Sequence, residues 1–199
     1  MALHDYDHIK HHDRIARLYY EAIIDLVEHN EINKITVPMI TEKTNTSRRT
    51  FYNYFPDKFS LMNYVYYYDV KDSYYQHLDA ATFGPNSHSF FSDHLQKKLF
   101  YKKLFAYTGQ NNFSEWFKNF WCEFYDEAGR AHFKNNYTVE TALSIASFTL
   151  GLSETTKRWC LADCRTATPQ QLAAVCEINQ PPAFRELISS PTLYSFAQK

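Results

Sequence analysis

Arg48, Arg49, Thr50 and Asn53 fall within six positions of one another. On a short helix they place two guanidiniums, a hydroxyl and an amide on the outward side, near the N-terminal end. These groups suit the edges of nucleic-acid bases: an arginine pairs bidentately with guanine, worth about 1–3 kcal/mol in discrimination. Other candidates for chemistry are poorer. Cys160 and Cys164 are four apart, on one face of a helix, and with His132 they sketch a metal or redox site. No second Cys pair and no regularly spaced His supports it, so the two read as small hydrophobes at an interface. His11 and His12 point about 100° apart on a helix and chelate badly; they read as a solvated helix start. Glu123, Asp126, Glu127, Asp5 and Asp7 read as solvated charge. No Gly-rich phosphate loop and no Ser/His/Asp pattern is present. The expectation is no enzyme, no cofactor and no metal.

The elements that must position the arginines lie between Ile35 and Lys58, in ITVPMITEKTNTSRRTFYNYFPDK. Thr36 is a good N-cap and Pro38 suits a first helical turn. Val37, Ile40 and Thr41 share one face. Asn45 stands where the chain must turn, and Asn tolerates a left-handed backbone. Ser47 caps a second helix, Arg48 to Phe55, whose back is Phe51, Tyr54 and Phe55. Pro56-Asp57 ends it. The pattern is a helix-turn-helix, a motif that pushes the N-terminal end of its second helix into the DNA major groove.

The order I-T-V-x-x-I-T-E-x-T-x-T-S-R-R-T-F-Y-N-Y-F-P-D-K-x-x-L resembles the N-terminal signature of the tetracycline-repressor (TetR) family of bacterial transcription regulators, over about residues 10 to 65. The resemblance implies base contacts by Arg48 and Arg49, phosphate contacts by Tyr52 and Lys58, and mixed roles for Thr46, Ser47, Thr50, Asn53 and Tyr54. Thr36 would clamp a phosphate with its hydroxyl and the free amides of a helix N-terminus. Arg49 departs from the small residue usual there, and Asn45 replaces the usual turn glycine.

Helix 1 is expected over about His12 to His29, with Ile15, Leu18, Tyr19, Ala22, Ile23, Leu26 and Val27 as its apolar stripe. A connecting helix runs from Pro56-Asp57 to about Leu78, with Leu61, Tyr64, Val65 and Tyr68 facing the body. A loop follows at Thr82 to Ser89. Further helices are expected at about His88 to Gln96, Lys97 to Thr108, Ser114 to Ala128 (ended by Gly129), Tyr137 to Asp163 and Gln171 to Ile178, and then a short one after Pro181-Pro182. Aromatic residues are 18% of the chain, and most lie between Phe59 and Tyr137. They form a dense core, line a cavity for a planar or apolar effector, or do both. Tyr64, Tyr68, Phe105, Trp116, Phe120 and Trp121 are the pocket candidates. Ala142, Ala146, Thr149, Ser153 and Thr156 put small side chains on one helix face, open to close approach. G-L-S-E-T-T-K-R-W with T-P-Q-Q-L-A is similar to the last two helices of one TetR-type body, which implies a twofold four-helix interface. The interface candidates are Ala142, Ala146, Thr149, Ser153, Leu172 and Val175.

At 199 residues and 45% hydrophobic, with four glycines, the chain holds one head and one body. Helical periodicity without strand alternation predicts an all-α fold of nine to ten helices. The expected division is a three-helix head, residues 1–56, and a helical effector-binding and dimerisation body, residues 57–199. No apolar run spans a bilayer and the N-terminus has no signal core, which predicts a cytoplasmic protein without membrane contact. The four cysteines are then reduced. Net charge is −1, and residues 1–60 hold eight Lys/Arg against nine Asp/Glu. The footprint on DNA must therefore be local, on Arg48, Arg49 and Lys58 with Lys34 and Lys43. The expected partners are a double-stranded operator, a second copy of the chain and a small-molecule effector. The resulting function is a homodimeric regulator, a repressor released from a near-palindromic operator. The alternatives are a co-regulator that docks a protein partner and, last, a small helical enzyme.

Overall fold

Side-chain caps set the start of many helices along this chain. In the computed structural model, which describes residues 5–10, 13–76 and 87–193 (with side chains at 71–76 and 87–89 left aside), all regular structure is helical. His11, His12, the 82–86 part of the expected loop and the expected end of the connecting helix at Leu78 lie outside the described residues. Helix α1 is Arg14–His29; the Asp13 carboxylate accepts from the amides of Ile15 at 2.8 Å and Ala16 at 3.0 Å. Helix α2 is Val37–Thr44, capped by Thr36, and it stops because Asn45 adopts φ 51°, ψ 45°. Helix α3 is Arg48–Tyr54, where the Ser47 hydroxyl accepts from the Thr50 amide at 3.0 Å. Helix α4 is Lys58–Gln76, and Asp57 caps it through the Ser60 amide at 2.7 Å.

The body continues with α5 (Ser87–Gln96), α6 (Lys98–Ala106), α7 (Phe113–Phe133), α8 (Val139–Leu161), α9 (Pro169–Asn179) and α10 (Pro182–Ile188). Thr168 and Gln171 form a reciprocal capping box at the start of α9. Helix α7 runs through Gly129 rather than ending there. Gly129 is where the Tyr137 ring lies against the helix, so close that an added Cβ would stand 2.6 Å from the ring edge. The residue is glycine for room, not for a turn, and the helix ends instead before Lys134, at φ 50°.

Helix α4 is the axis of the packing. Leu61 to Tyr67 are all buried, because α1 covers one side and α5 and α7 cover others. Helix α8 packs along α7 and crosses α6, while α9 lies on α5. The stripe on α1 is rotated slightly from the expected one: Ala16 and Tyr20 join the buried set, and Leu18 is exposed. Two polar ties fasten α1 to the body. Asp69 of α4 accepts from Tyr20 Oη at 2.6 Å, Lys97 Nζ at 2.9 Å and Tyr101 Oη at 2.9 Å. Lys103 of α6 donates to the carbonyls of Val27 and Glu28 at 2.9 Å and of Asn30 at 3.3 Å. These are the orphan acceptors at the C-terminal end of α1.

Candidate nucleic-acid interface

Phe51 and Phe55 are wholly buried and meet Tyr19 edge-on, at ring separations of 5.5 and 5.9 Å. This contact fixes the roll of α3, so that Arg48, Arg49, Tyr52 and Asn53 face solvent. Tyr52 is 56% exposed. Among the described residues neither guanidinium meets a carboxylate. The Ser47 and Thr50 hydroxyls bond each other at 2.8 Å on the same exposed end. Thr36, also exposed, caps α2 through the Met39 amide at 3.4 Å. The arrangement is a row of donors held by a helix whose other side is anchored in the core.

Three predicted contacts sit differently. The Thr46 hydroxyl points inward, 2.7 Å from Tyr19 Oη and 2.9 Å from Thr44 Oγ1. Tyr54 Oη donates to both oxygens of Asp13 at 3.1 Å, tying α3 to the N-terminus of α1; burial and then the Asp13 carboxylate push its pKa up. Lys58 Nζ donates to the carbonyls of Ile32 and Ile35 at 2.7 Å and of Asn33 at 3.5 Å, and burial holds its pKa below the ordinary lysine range. It closes the 3₁₀ turn Ile32–Lys34 that enters α2. Lys34 and Lys43 pair with Glu31 at 3.2 Å and Asp25 at 2.7 Å, and Arg17 pairs with Glu21 at 2.9 Å. Of the cations that the sequence puts forward for DNA (Lys34, Lys43, Arg48, Arg49 and Lys58), Arg48 and Arg49 are the two without a carboxylate or carbonyl partner among the described residues.

The six pocket candidates lie in a packed aromatic interior. Tyr64, Phe105, Phe120 and Trp121 are buried, and Tyr68 and Trp116 pack at its margin. Tyr66, which sequence reasoning did not single out, is at the centre: its ring lies 5.0 Å from Phe117, 5.5 Å from His94 and 6.0 Å from Trp116, and its hydroxyl accepts from Trp121 Nε1 at 2.7 Å. Among the described residues, three buried polar atoms here and nearby have no hydrogen-bond partner: His94 Nε2, Trp116 Nε1 and Asn63 Oδ1. Desolvation lowers the His94 pKa to about 4, so the ring is neutral, with Nδ1 bonded to the Phe90 carbonyl at 2.8 Å. A crevice partly open to solvent, too tight to enclose a water molecule, lies between Ile32, Asn63, Leu104 and Tyr107. None of the six candidates lines it.

Helix α8 also distributes its residues differently from the expectation. The small-residue face is used within the chain, with Thr149 and Ser153 buried. Leu172 of α9 is likewise buried, Ala142 and Ala146 are half-buried, and Val175 is exposed. Larger apolar side chains stand exposed on each helix: Val139 (71% exposed), Leu143 (62%) and Leu150 on α8, and the interface candidate Val175 with Ile178 (78%) on α9. A 3.6-residue count started at Val139 finds the α8 stripe; the row of small residues runs alongside it, with Ala146 only about 20° from Val139 round the helix.

Among the described residues no helix is long and apolar enough to cross a membrane, and no three His, Cys, Asp or Glu side chains converge as a metal site. No protein-family model matches the sequence, and no curated protein sequence matches it. The fold is shared with the solved structure of a dihydroxyacetone kinase operon activator, DhaS, at a TM-score of 0.58 and 17% identity, over 82% of this chain and 92% of that one. The chain thus shares the all-helical fold of that protein.

Proposed function

We propose that the chain is a sequence-specific DNA-binding transcription regulator of TetR type that acts as a homodimer. The observation that carries this is the outward side of α3, where Arg48, Arg49, Tyr52 and Asn53 stand exposed on a helix whose back is locked by Phe51 and Phe55. Arg48 and Arg49 read base edges; Tyr52, Asn53, Ser47, Thr50 and the capped N-terminus at Thr36 position the backbone. Lys58, Thr46 and Tyr54 hold the motif rigid. The second copy packs on the apolar stripe of α8 and α9, with Ala142 and Ala146 at its border. An exposed run of this kind marks an interface.

In this reading the bound dimer closes a near-palindromic operator, and an effector releases it. The effector binds one head spacing better and DNA binds the other, which is what allostery requires. The aromatic body, with its unpartnered His94, Trp116 and Asn63 atoms, suits a planar ligand that carries hydrogen-bonding groups. DhaS is named an operon activator, so activation is the opposite sign to test. A second reading, a co-regulator that works through a protein partner, is favoured by the head's few free cations, since Arg17, Lys34, Lys43 and Lys58 are all engaged. Selection of bound DNA from a random pool decides between them. One enriched palindrome establishes the dimeric reader; a folded dimer that enriches nothing moves the function to the partner protein.

A further inference from the structure

Helix α8 ends in a turn that gathers two of the chain's four free cysteines. The Cys164 amide donates to the Trp159 carbonyl at 2.9 Å and the Asp163 amide to the Cys160 carbonyl at 3.1 Å. This is the paired closure that reverses a chain at a helix C-terminus. It needs a left-handed residue, and Asp163 (φ 57°) and Cys164 (φ 56°) are both left-handed without being glycine. The turn folds Cys164 back over the last helical turn, onto Cys160. Cys160 is fully buried and Cys164 is 8% exposed, so Cys164 is the outer of the two. The other two thiols stand apart, Cys122 on α7 and Cys176 on α9. His132 belongs to the far end of the α7–α8 pair, 3.4 Å from Glu186.

We propose that Cys160 and Cys164 form a two-electron redox switch that hydroperoxides close to a disulfide. The Cys164 thiolate attacks the terminal oxygen of the hydroperoxide. An S–O bond forms, the O–O bond breaks, and the alkoxide leaves and takes up a proton as the alcohol (water, for hydrogen peroxide). The Cys160 sulfur then attacks the Cys164 sulfur; the S–S bond forms, the S–O bond breaks, and hydroxide departs with the Cys160 proton as water. The thiols supply both electrons and the peroxide accepts them.

The surroundings favour Cys164 as the attacking sulfur. The Cys160 thiol donates to it and the Lys98 ammonium is near, which together lower its pKa; burial raises those of Cys122 and Cys176. Thiolate character selects the attacking sulfur, and of this buried pair Cys164 has the lowered pKa and lies nearer the surface. The turn is also wired to the head. Asp163, between the two cysteines, holds Lys102 of α6 at 2.8 Å, and its neighbour Lys103 holds the carbonyls at the end of α1. Drawing the sulfurs to bonding distance, about 2.05 Å, moves Asp163 and so pulls on α6.

The test is peroxide titration of the full-length protein, with thiol counting and intact mass. We expect the thiol count to fall from four to two and the mass to fall by two hydrogens, with both restored by dithiothreitol. Peptide mapping should place the bond between Cys160 and Cys164, a readout that needs no variant. Cys164→Ser should keep the remaining thiols reduced. Cys160→Ala should stop at a sulfenic acid on Cys164, trapped by dimedone. Amide exchange at 28–34 should speed up on oxidation. Four surviving thiols, or oxidation at Cys122 with the pair still reduced, overturns the switch. A disulfide with unchanged exchange at 28–34 overturns the link to the head. Neither readout uses DNA, so the switch stands or falls apart from the regulator reading.

Discussion

The outer side of α3 and the rings around Tyr66 treat unpartnered polar groups in opposite ways. On α3, two guanidiniums, a phenol and an amide face solvent, where water satisfies them at no cost and a ligand can replace that water. Around Tyr66, aromatic rings meet edge to face at 5.0–6.5 Å, and any polar atom left over is stranded. A buried donor or acceptor without a partner costs about 1–3 kcal/mol. One region therefore keeps its chemistry available, while the other keeps it stored against whatever displaces the packing. Interfering with each region separates recognition from stability.

The largest effect is expected from emptying the interior. Tyr66→Ala removes a fully buried ring and should cost about 3–5 kcal/mol in urea unfolding. Tyr66→Phe keeps the ring but strands Trp121 Nε1, and should cost about 1–3 kcal/mol. Should Tyr66→Ala unfold no more readily than the parent, the interior is loosely filled and the contrast collapses.

The next effect is on pH. His94 is neutral in the folded protein because burial drops its pKa from 6.5 to about 4. Between those values the unfolded chain takes up a proton that the folded one refuses, so stability is full above about pH 6.5 and falls as the pH drops towards 4. The loss should reach the order of 2–3 kcal/mol. Urea midpoints at pH 7 and pH 5 measure it, and His94→Phe should remove most of the difference. An unchanged slope in that variant would assign the pH dependence to other groups.

Arg48→Ala tests the opposite region. The side chain is exposed and, among the described residues, unpaired, so the unfolding midpoint should stay within about 0.5 kcal/mol of the parent. Operator discrimination should weaken by about 1–3 kcal/mol, seen as the ratio of affinities for the selected site and a scrambled one. Intact discrimination would move the reading surface off α3.

How far the sequence reveals each region follows from the range of the interactions. Caps act over three or four residues, so Thr36, Asn45, Ser47 and the Thr168–Gln171 pair are visible in the sequence, and with them the helix-turn-helix and the exposure of Arg48 and Arg49. Contacts between distant elements leave no such trace. Gly129 looks like a helix end until the Tyr137 ring is seen beside it. Thr149 and Ser153 look available until α6 and α7 cover that side of α8. The central place of Tyr66 depends on rings from three other helices, none near it in sequence.

Lys58 is where the two kinds of information meet, and its effect should be the smallest. By resemblance it contacts a phosphate; by geometry its ammonium is taken up by the carbonyls of residues 32, 33 and 35. Lys58→Met keeps most of the aliphatic stem and removes the donors. If the ammonium is a clip, stability should fall by about 1 kcal/mol, because the carbonyls at the entry to α2 lose their partner. The slope of log affinity against log salt should then hardly change. A slope flattened by about one per subunit, with stability intact, would show a charge neutralising a phosphate. The clip is the expected outcome: an ammonium bound by three carbonyls must break those bonds before it reaches DNA, whereas Arg48 and Arg49 have none to break.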